Sequence, residues 1–337
     1  MADIFGVRVT PTLDTVNSFI INNSAGGQVE PAVVFNGENY IVAWLDFGVT
    51  AVRVTPSGVV LDSGNYIGAG NASIDLAFDG ERTLAVWFKD YYGVCARFIN
   101  SQAMPEDTVL RLDSTITTAA VPCVAYDGTN YLVVWQDFCP AGTDLDIYGQ
   151  FLSSQGTLVG NKISIAAASA AETKPAICFD GDNYFVVWLQ DDHAIYGRKI
   201  PPDGHIVEPA FQISDSVIFT RDLPMVCAGD SDFLTAWMEW RNDYDIYASL
   251  NNTISIKESS GKRPDFQHTC SIVGDLLEIK AGFSWSIYSI NGRLLKQQAV
   301  GRNRVSKIDF SDFASGVYFV RLKKDSVDII EKIIKVR

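Results

Sequence analysis

The sequence predicts an all-β chain: a β-propeller of about five four-stranded blades over residues 1–256, a linker at 257–269, and a small Ig-like β-sandwich at 270–337. Three observations carry the first part. Tryptophan recurs at Trp44, Trp87, Trp135, Trp188 and Trp237, with steps of 43, 48, 53 and 49 residues. Each closes a short apolar run, and in four units an Asn-Gly or Asp-Gly pair precedes that run (Asn36-Gly37, Asp79-Gly80, Asp127-Gly128, Asp180-Gly181). Such pairs supply the positive φ angles of a tight hairpin. Repeats of this length with four short strands match a propeller blade.

Within a unit the strands follow in a fixed order. The first ends nine residues before the tryptophan, at Phe35, Phe78, Tyr126, Phe179 and Ala228. The second is the tryptophan run itself. In YLVVW, Tyr131, Val133 and Trp135 point one way while Leu132 and Val134 point the other, because strand side chains alternate. Apolar residues on both faces predict a strand covered on both sides, as between neighbouring blades, rather than a half-solvated sheet. The third strand follows (AVRVTPSG, VCARFINS, DIYGQF, AIYGRKI, DIYASL), then a fourth such as TLVGNKISI. The Ile-Tyr-Gly elements at 147–149 and 195–197 read as blade packing, with glycine permitting close backbone approach. Residues 1–22 read as the third and fourth strands of a further unit, expected to complete the last blade and close the ring.

The periodicity ends near residue 257, where KESSGKRPDFQHT reads as a linker. Beyond it come short strands with hairpin signals. Three segments stand out: SIYSINGRLLKQQ with Asn291-Gly292 at its turn, DFSDFASGVYFVRLKK with Gly316, Val317 and Tyr318, and the basic end EKIIKVR with Lys332 and Lys335. This tail, over about 270–337, resembles the type IX secretion C-terminal sorting domain of Bacteroidetes and related bacteria. One departure is that TCSIVGD stands where that family usually carries Pro-Asn-Pro. The resemblance implies handling by the export machinery, an extracellular or outer-cell-surface location, and a signal peptide upstream of MADIFGVRVT, which has neither a basic n-region nor an apolar h-region. The N-terminal units resemble the propeller repeats of bacterial surface proteins.

Composition narrows the function classes. A net charge of −13 disfavours nucleic acid and anionic lipid. No apolar run is long enough to span a bilayer. Six cysteines without a CxxC spacing, and three histidines (His193, His205, His268), form no zinc pattern. Cys123, Cys178 and Cys227 fall in apolar strands and read as buried free thiols. The chain has no GxSxG, no phosphate-binding glycine loop and no sialidase Asp-box, so no catalytic residue and no cofactor is expected. Calcium is the one metal worth naming, because DLD at 144–146 and DGD at 180–182 offer oxygen ligands, although no twelve-residue EF-hand loop accompanies them.

An acid beside a ring recurs just past each tryptophan run: Asp46-Phe47, Asp90-Tyr91-Tyr92, Asp137-Phe138, Asp191-Asp192-His193 and Glu239-Trp240. A carboxylate accepts hydrogen bonds from sugar hydroxyls and a ring stacks on a sugar's apolar face. Repetition around a ring would make such a site multivalent. The same pattern is met by an acid capping its own turn beside a ring that packs on the next blade. The expected function is a secreted or surface non-catalytic binding or adhesion protein, with a glycan or a surface protein as partner. The alternative is a carbohydrate-active enzyme, since glycosidases also place two carboxylates across their substrate.

Overall fold

The structure is a computed structural model. It describes residues 3–10, 14–113, 120–138, 144–206, 208–215, 218–229, 233–240 and 244–250, and the strands of the tail between 270 and 335. A hairpin opens the chain, β1 (Ile4–Val9) and β2 (Thr15–Asn22). Blade 1 is β3 (Val29–Phe35), β4 (Tyr40–Leu45), β5 (Val49–Val54) and β6 (Asn65–Gly68). Blade 2 is β7 (Ala72–Phe78), β8 (Thr83–Lys89), β9 (Gly93–Ile99) and β10 (Leu110–Arg111). Blade 3 is β11 (Cys123–Tyr126), β12 (Asn130–Phe138), β13 (Leu145–Ser153) and β14 (Leu158–Ala166). Blade 4 is β15 (Glu172–Phe179), β16 (Tyr184–Gln190), β17 (Ala194–Ile200) and β18 (Phe211–Gln212). Blade 5 shows three strands among the described residues, β19 (Thr220–Ala228), β20 (Phe233–Trp240) and β21 (Tyr244–Leu250).

Each blade is an antiparallel sheet with its strands in chain order, and β3, β7, β11, β15 and β19 adjoin in succession. The hairpins form as their turn residues dictate. Gly37, Gly80, Gly128 and Gly181 all take positive φ. The residue before each glycine clamps the turn with its own side chain: Asp127 Oδ1, for one, accepts from the N–H groups of Thr129 and Asn130, both at 2.7 Å. Asn36, Asp79 and Asp180 repeat the arrangement. The Asp180 carboxylate of the DGD triplet is therefore engaged by its own turn. Among the described residues no group of three or more His, Cys, Asp or Glu is arranged to hold a metal ion.

Burial follows the alternation read from YLVVW. Tyr131, Val133 and Trp135 pack on Leu84, Val86 and Phe88 of blade 2, while Leu132 and Val134 pack on Val186 and Trp188 of blade 4. The same rule sets Trp87 on blade 1 and Trp237 on blade 4. The tryptophan of each second strand thus faces the preceding unit, so each blade has a leading face and a trailing face. The glycine of each Ile-Tyr-Gly element lies hard against its neighbours. A Cβ at Gly197 would meet Ile213 Cδ1 and Phe185 Cζ at 2.8 Å.

Side chains also reach across the junctions to the first strand of the next blade. Glu30 accepts from the Ser73 N–H, Asp75 Oδ2 from the Val124 N–H at 2.9 Å, and Gln136 Oε1 from the Lys174 N–H at 2.7 Å, while Lys174 Nζ pairs with Asp222. The geometry depends on a bulge that the sequence does not announce. Glu30, Ser73, Lys174 and Leu223, each fourteen residues before its tryptophan, adopt left-handed φ between 48° and 53°. The strand register slips there in all four first strands.

Two expectations are corrected. The N-terminal hairpin forms a two-stranded sheet of its own rather than completing blade 5. Ile4, Phe19 and Ile21 instead pack on Val42, Trp44, Val52 and Val54 of blade 1 and supply the surface that a preceding blade would offer. Deleting residues 1–22 should still lower the melting temperature sharply, since uncovering Trp44 and its neighbours costs on the order of 5 kcal/mol. An unchanged thermal unfolding curve would contradict this packing. Cys227 is exposed rather than buried, because it lies on the trailing face of blade 5; Cys123 is buried and Cys178 half-buried.

The chain divides into two compact units, Met1–Arg8 with Asn17–Lys257, and Val9–Val16 with Glu258–Arg337. Among the described residues the tail holds two antiparallel sheets. One contains β22 (Cys270–Val273), β23 (Leu276–Ile279) and β26 (Ser306–Asp309); the other contains β24 (Ser284–Ser289), β25 (Leu294–Gln298), β27 (Gly316–Lys324) and β28 (Val327–Lys335). Trp285, Ile287 and Val320 are buried in it. Gly316 and Tyr318 lie on β27 and Lys332 on β28, opposite Phe319; Asn291 and Gly292 lie outside the described residues.

Candidate functional site

The five acid-and-ring positions all lie at the end of the second strand, where the chain turns to the third. The turns themselves are built by short local contacts. Asp46 N donates to Gly48 O at 2.9 Å, which leaves Phe47 at the tip. Asp90 N donates to Asn71 Oδ1 at 3.0 Å, and Tyr91 takes a left-handed φ of 58° that lifts its ring clear of the sheet. Tyr92 turns back and is covered by Lys89 and Arg111 at 4.9 and 4.8 Å. In blade 4, Asp191 Oδ1 accepts from the Ala171 N–H at 3.0 Å, and His193 Nδ1 lies 3.2 Å from Phe219 O on an exposed turn.

Counted from the tryptophan, however, the acids do not share one position. Asp46, Asp137 and Glu239 stand two residues beyond it, whereas Asp90 and Asp191 stand three beyond. Since strand side chains alternate, that single step reverses the face toward which the chain directs them. The second correction concerns exposure. Asp137 and Glu239 are only 3% and 0% exposed, within the strand rather than on its turn.

Both buried acids are held by cations of this chain. Asp137 lies opposite Asp146 in the β12–β13 ladder. Lys162 Nζ reaches over from β14, 2.9 Å from Asp113 Oδ2 and 3.7 Å from Asp137 Oδ2, and caps the Tyr148 ring at 4.4 Å. The Tyr148 hydroxyl donates to Asp146 Oδ2 at 2.8 Å. In blade 5, Arg221 Nε donates to Glu239 Oε2 at 2.7 Å, and Trp237 Nε1 donates to the same oxygen at 3.0 Å. Arg221 also donates to the His193 carbonyl and pairs with Asp215, which ties blade 5 to blade 4.

The rings behave differently. Phe47 is 88% and Tyr91 84% exposed, and Phe138 and Trp240 keep 42% and 44% of their surface. Phe47, Phe138 and Trp240 stand three residues beyond their tryptophans and Tyr91 four, so the rings recur at the strand ends of four blades, three of them at one position.

Sequence reading missed a polar column sixteen residues before the tryptophans: Gln28, Asn71, Glu172 and Arg221. Gln28, Glu172 and Arg221 are almost wholly buried at the entry to their blades. The recurrence of polar residues just ahead of apolar first strands was the available signal. Glu172 is the most perturbed member. Burial pushes its carboxyl up to about 7, with repulsion from Asp146, Asp191 and Asp144 adding to it, while the Ala168 N–H, 3.0 Å from Oε1, pulls the other way. Its Oε2 is buried with no hydrogen-bond partner.

Comparison with known proteins adds two findings. The chain is similar to a thermostable family-43 glycoside hydrolase (11% identity, TM-score 0.43, 84% of this chain and 96% of that one). It is also similar to an arabinanase of Bacillus subtilis (10%, 0.42, 68% and 96%) and to a protein of unknown function from Bacteroides caccae (13%, 0.38, 66% and 75%). These similarities assign no residue here a role. No curated protein matches the chain. No helix among the described residues is long and apolar enough to cross a membrane, which says nothing of membrane-spanning strands. Residues 274–336 match the secretion system C-terminal sorting domain family, the mark of a protein handled by export machinery and released or displayed at the cell surface.

Proposed function

We propose that the propeller is a non-catalytic binding module, exported by the type IX route, that takes glycan ligands on the strand-end rings Phe47, Tyr91, Phe138 and Trp240. The observation that carries this reading is the division of labour within each acid-and-ring pair. The acids of blades 3 and 5 are consumed by Lys162 and Arg221, so they act as struts, while the rings beside them stay open to solvent. Asp46, Asp90 and Asp191, at or near the surface, remain as acceptors for hydroxyl groups beside Phe47, Tyr91 and His193. Adhesion to a glycosylated surface would follow from several such sites on one molecule, since linked weak contacts multiply.

A glycan array tests this with wild type and a Phe47→Ala/Tyr91→Ala/Phe138→Ala variant. Binding should be lost while the melting temperature stays within about 2 °C, because exposed rings contribute little to the fold. Retained binding would remove these three rings from the site. Asp137→Ala should behave in the opposite sense, losing stability through Lys162 and leaving the glycan profile of the folded fraction unchanged.

One observation favours a second reading, a carbohydrate-active enzyme. The Glu172 carboxyl, raised to about 7 near Asp146 and Asp191, has the protonation behaviour of a general acid. Release of reducing sugar from a polysaccharide, abolished in Glu172→Gln, would establish that reading over the first.

A further inference from the structure

The repeat imposes a rule at three of its four internal junctions; at the first, between blades 1 and 2, Cys95 stands where the ring would be. The ring that follows isoleucine in the third strand turns toward the preceding unit and packs on that unit's own third strand. Tyr148 clusters with Val94, Tyr196 with Ile147 and Tyr247 with Ile195. Val94, Ile147 and Ile195, and Val49 at the same register position in blade 1, all stand opposite the residue after tryptophan in the β-ladder and are buried to 1% or less.

The rule leaves two surfaces unsatisfied. Ile246 holds the same register position in blade 5, opposite Met238, yet is 74% exposed. Met225 and Leu234 beside it on the trailing face are exposed as well. At the other end, Phe5 follows Ile4 in the hairpin as Tyr148 follows Ile147, and is 61% exposed, with Val7 and Ile20 open next to it. The hairpin itself is fixed on blade 1 by Ile4, Phe19 and Ile21, so its opposite face, with Phe5, Val7 and Ile20 exposed, is directed away from blade 1.

We infer that these two faces meet between copies of the chain, the Phe5 surface of one molecule seated on the Ile246 surface of the next. The occupant is argued from the chain's own packing. At three internal junctions this repeat pairs an aromatic ring with this aliphatic position, and the two uncovered faces carry one half of that pair each. The contact is heterologous, because the surfaces differ, so it propagates head to tail rather than closing as a two-fold dimer. Exposed apolar patches of this kind on an exported protein are otherwise a liability for aggregation. A head-to-tail array would also bring the ring platforms of successive molecules into one row.

Analytical ultracentrifugation of the full chain over a range of concentrations tests this, with Phe5→Glu and Ile246→Glu as variants. Wild type should associate as concentration rises, and each variant alone should stay monomeric. An equimolar mixture of the two should form a 1:1 dimer and stop there, because each variant keeps the face the other has lost. A wild type that is monomeric at every concentration overturns the proposal, as closure of the ring within one chain would produce. Association of Phe5→Glu alone overturns it too, since blade 5 would then be pairing with itself. So does a mixture that remains monomeric. Val7→Glu and Met225→Glu supply a second pair should either first variant fail to fold.

Discussion

Glu239→Ala is expected to destabilise the propeller by about 3–5 kcal/mol, the usual cost of removing one member of a buried ion pair. Arg221 is 2% exposed and would keep its charge with Glu239 gone. Asp215 and the His193 carbonyl still face the guanidinium, but Nε loses its acceptor, and so does the Trp237 indole N–H. For a unit of this size the loss corresponds to a fall in melting temperature of roughly 6–20 °C. A paired Arg221→Leu/Glu239→Leu variant should recover much of it, because apolar replacements of both members leave no stranded charge. If Glu239→Ala melts within a degree or two of wild type, the acid is not the strut described here, and its place among the ligand contacts reopens.

Glu172→Gln should act in the opposite direction and depend on pH. The folded carboxyl titrates near 7, above its ordinary value of 4.5. Below about pH 4.5 the carboxyl is protonated in both folded and unfolded chains and the raised value has no effect on stability. Between 4.5 and 7 the unfolded chain ionises while the folded one resists, so stability falls as pH rises; above 7 the penalty is constant. A shift of this size corresponds to about 3 kcal/mol at its upper limit. Glutamine keeps the Oε1 acceptor for Ala168 and cannot ionise, so the variant should gain stability at pH 8 and little at pH 4. Melting curves at the two values decide. An equal shift at both would mean that the substitution acts through packing rather than through charge.

The parts of this molecule legible in its sequence are those set by local rules. Asn36-Gly37 and its three counterparts place hairpins because a two-residue turn needs their φ angles, and YLVVW announces two buried faces by itself. The left-handed bulges at Glu30, Ser73, Lys174 and Leu223 carry no such mark. No glycine stands there, and the conformation is set by the junction rather than by the residue. The acids misled for a related reason. Read as letters, Asp46, Asp90, Asp137, Asp191 and Glu239 form one column, but a one-residue offset changes the face, and only the fold brings Lys162 and Arg221 beside two of them. The rings needed no partner to be recognised, which is why that half of the pattern could be read directly.

The links into the first strands have a consequence for how such a chain changes over time. At three junctions a side chain of one blade reaches the main-chain N–H of the next, at Ser73, Val124 and Lys174. Those three recipients share no side-chain chemistry, because the bond asks only for an amide hydrogen, which every residue but proline supplies. A unit can therefore drift at its receiving end, or be copied beside itself, without a matching change in its neighbour. Lineages built on this joint are free to vary the number and surface of their units while the seam between them stays closed.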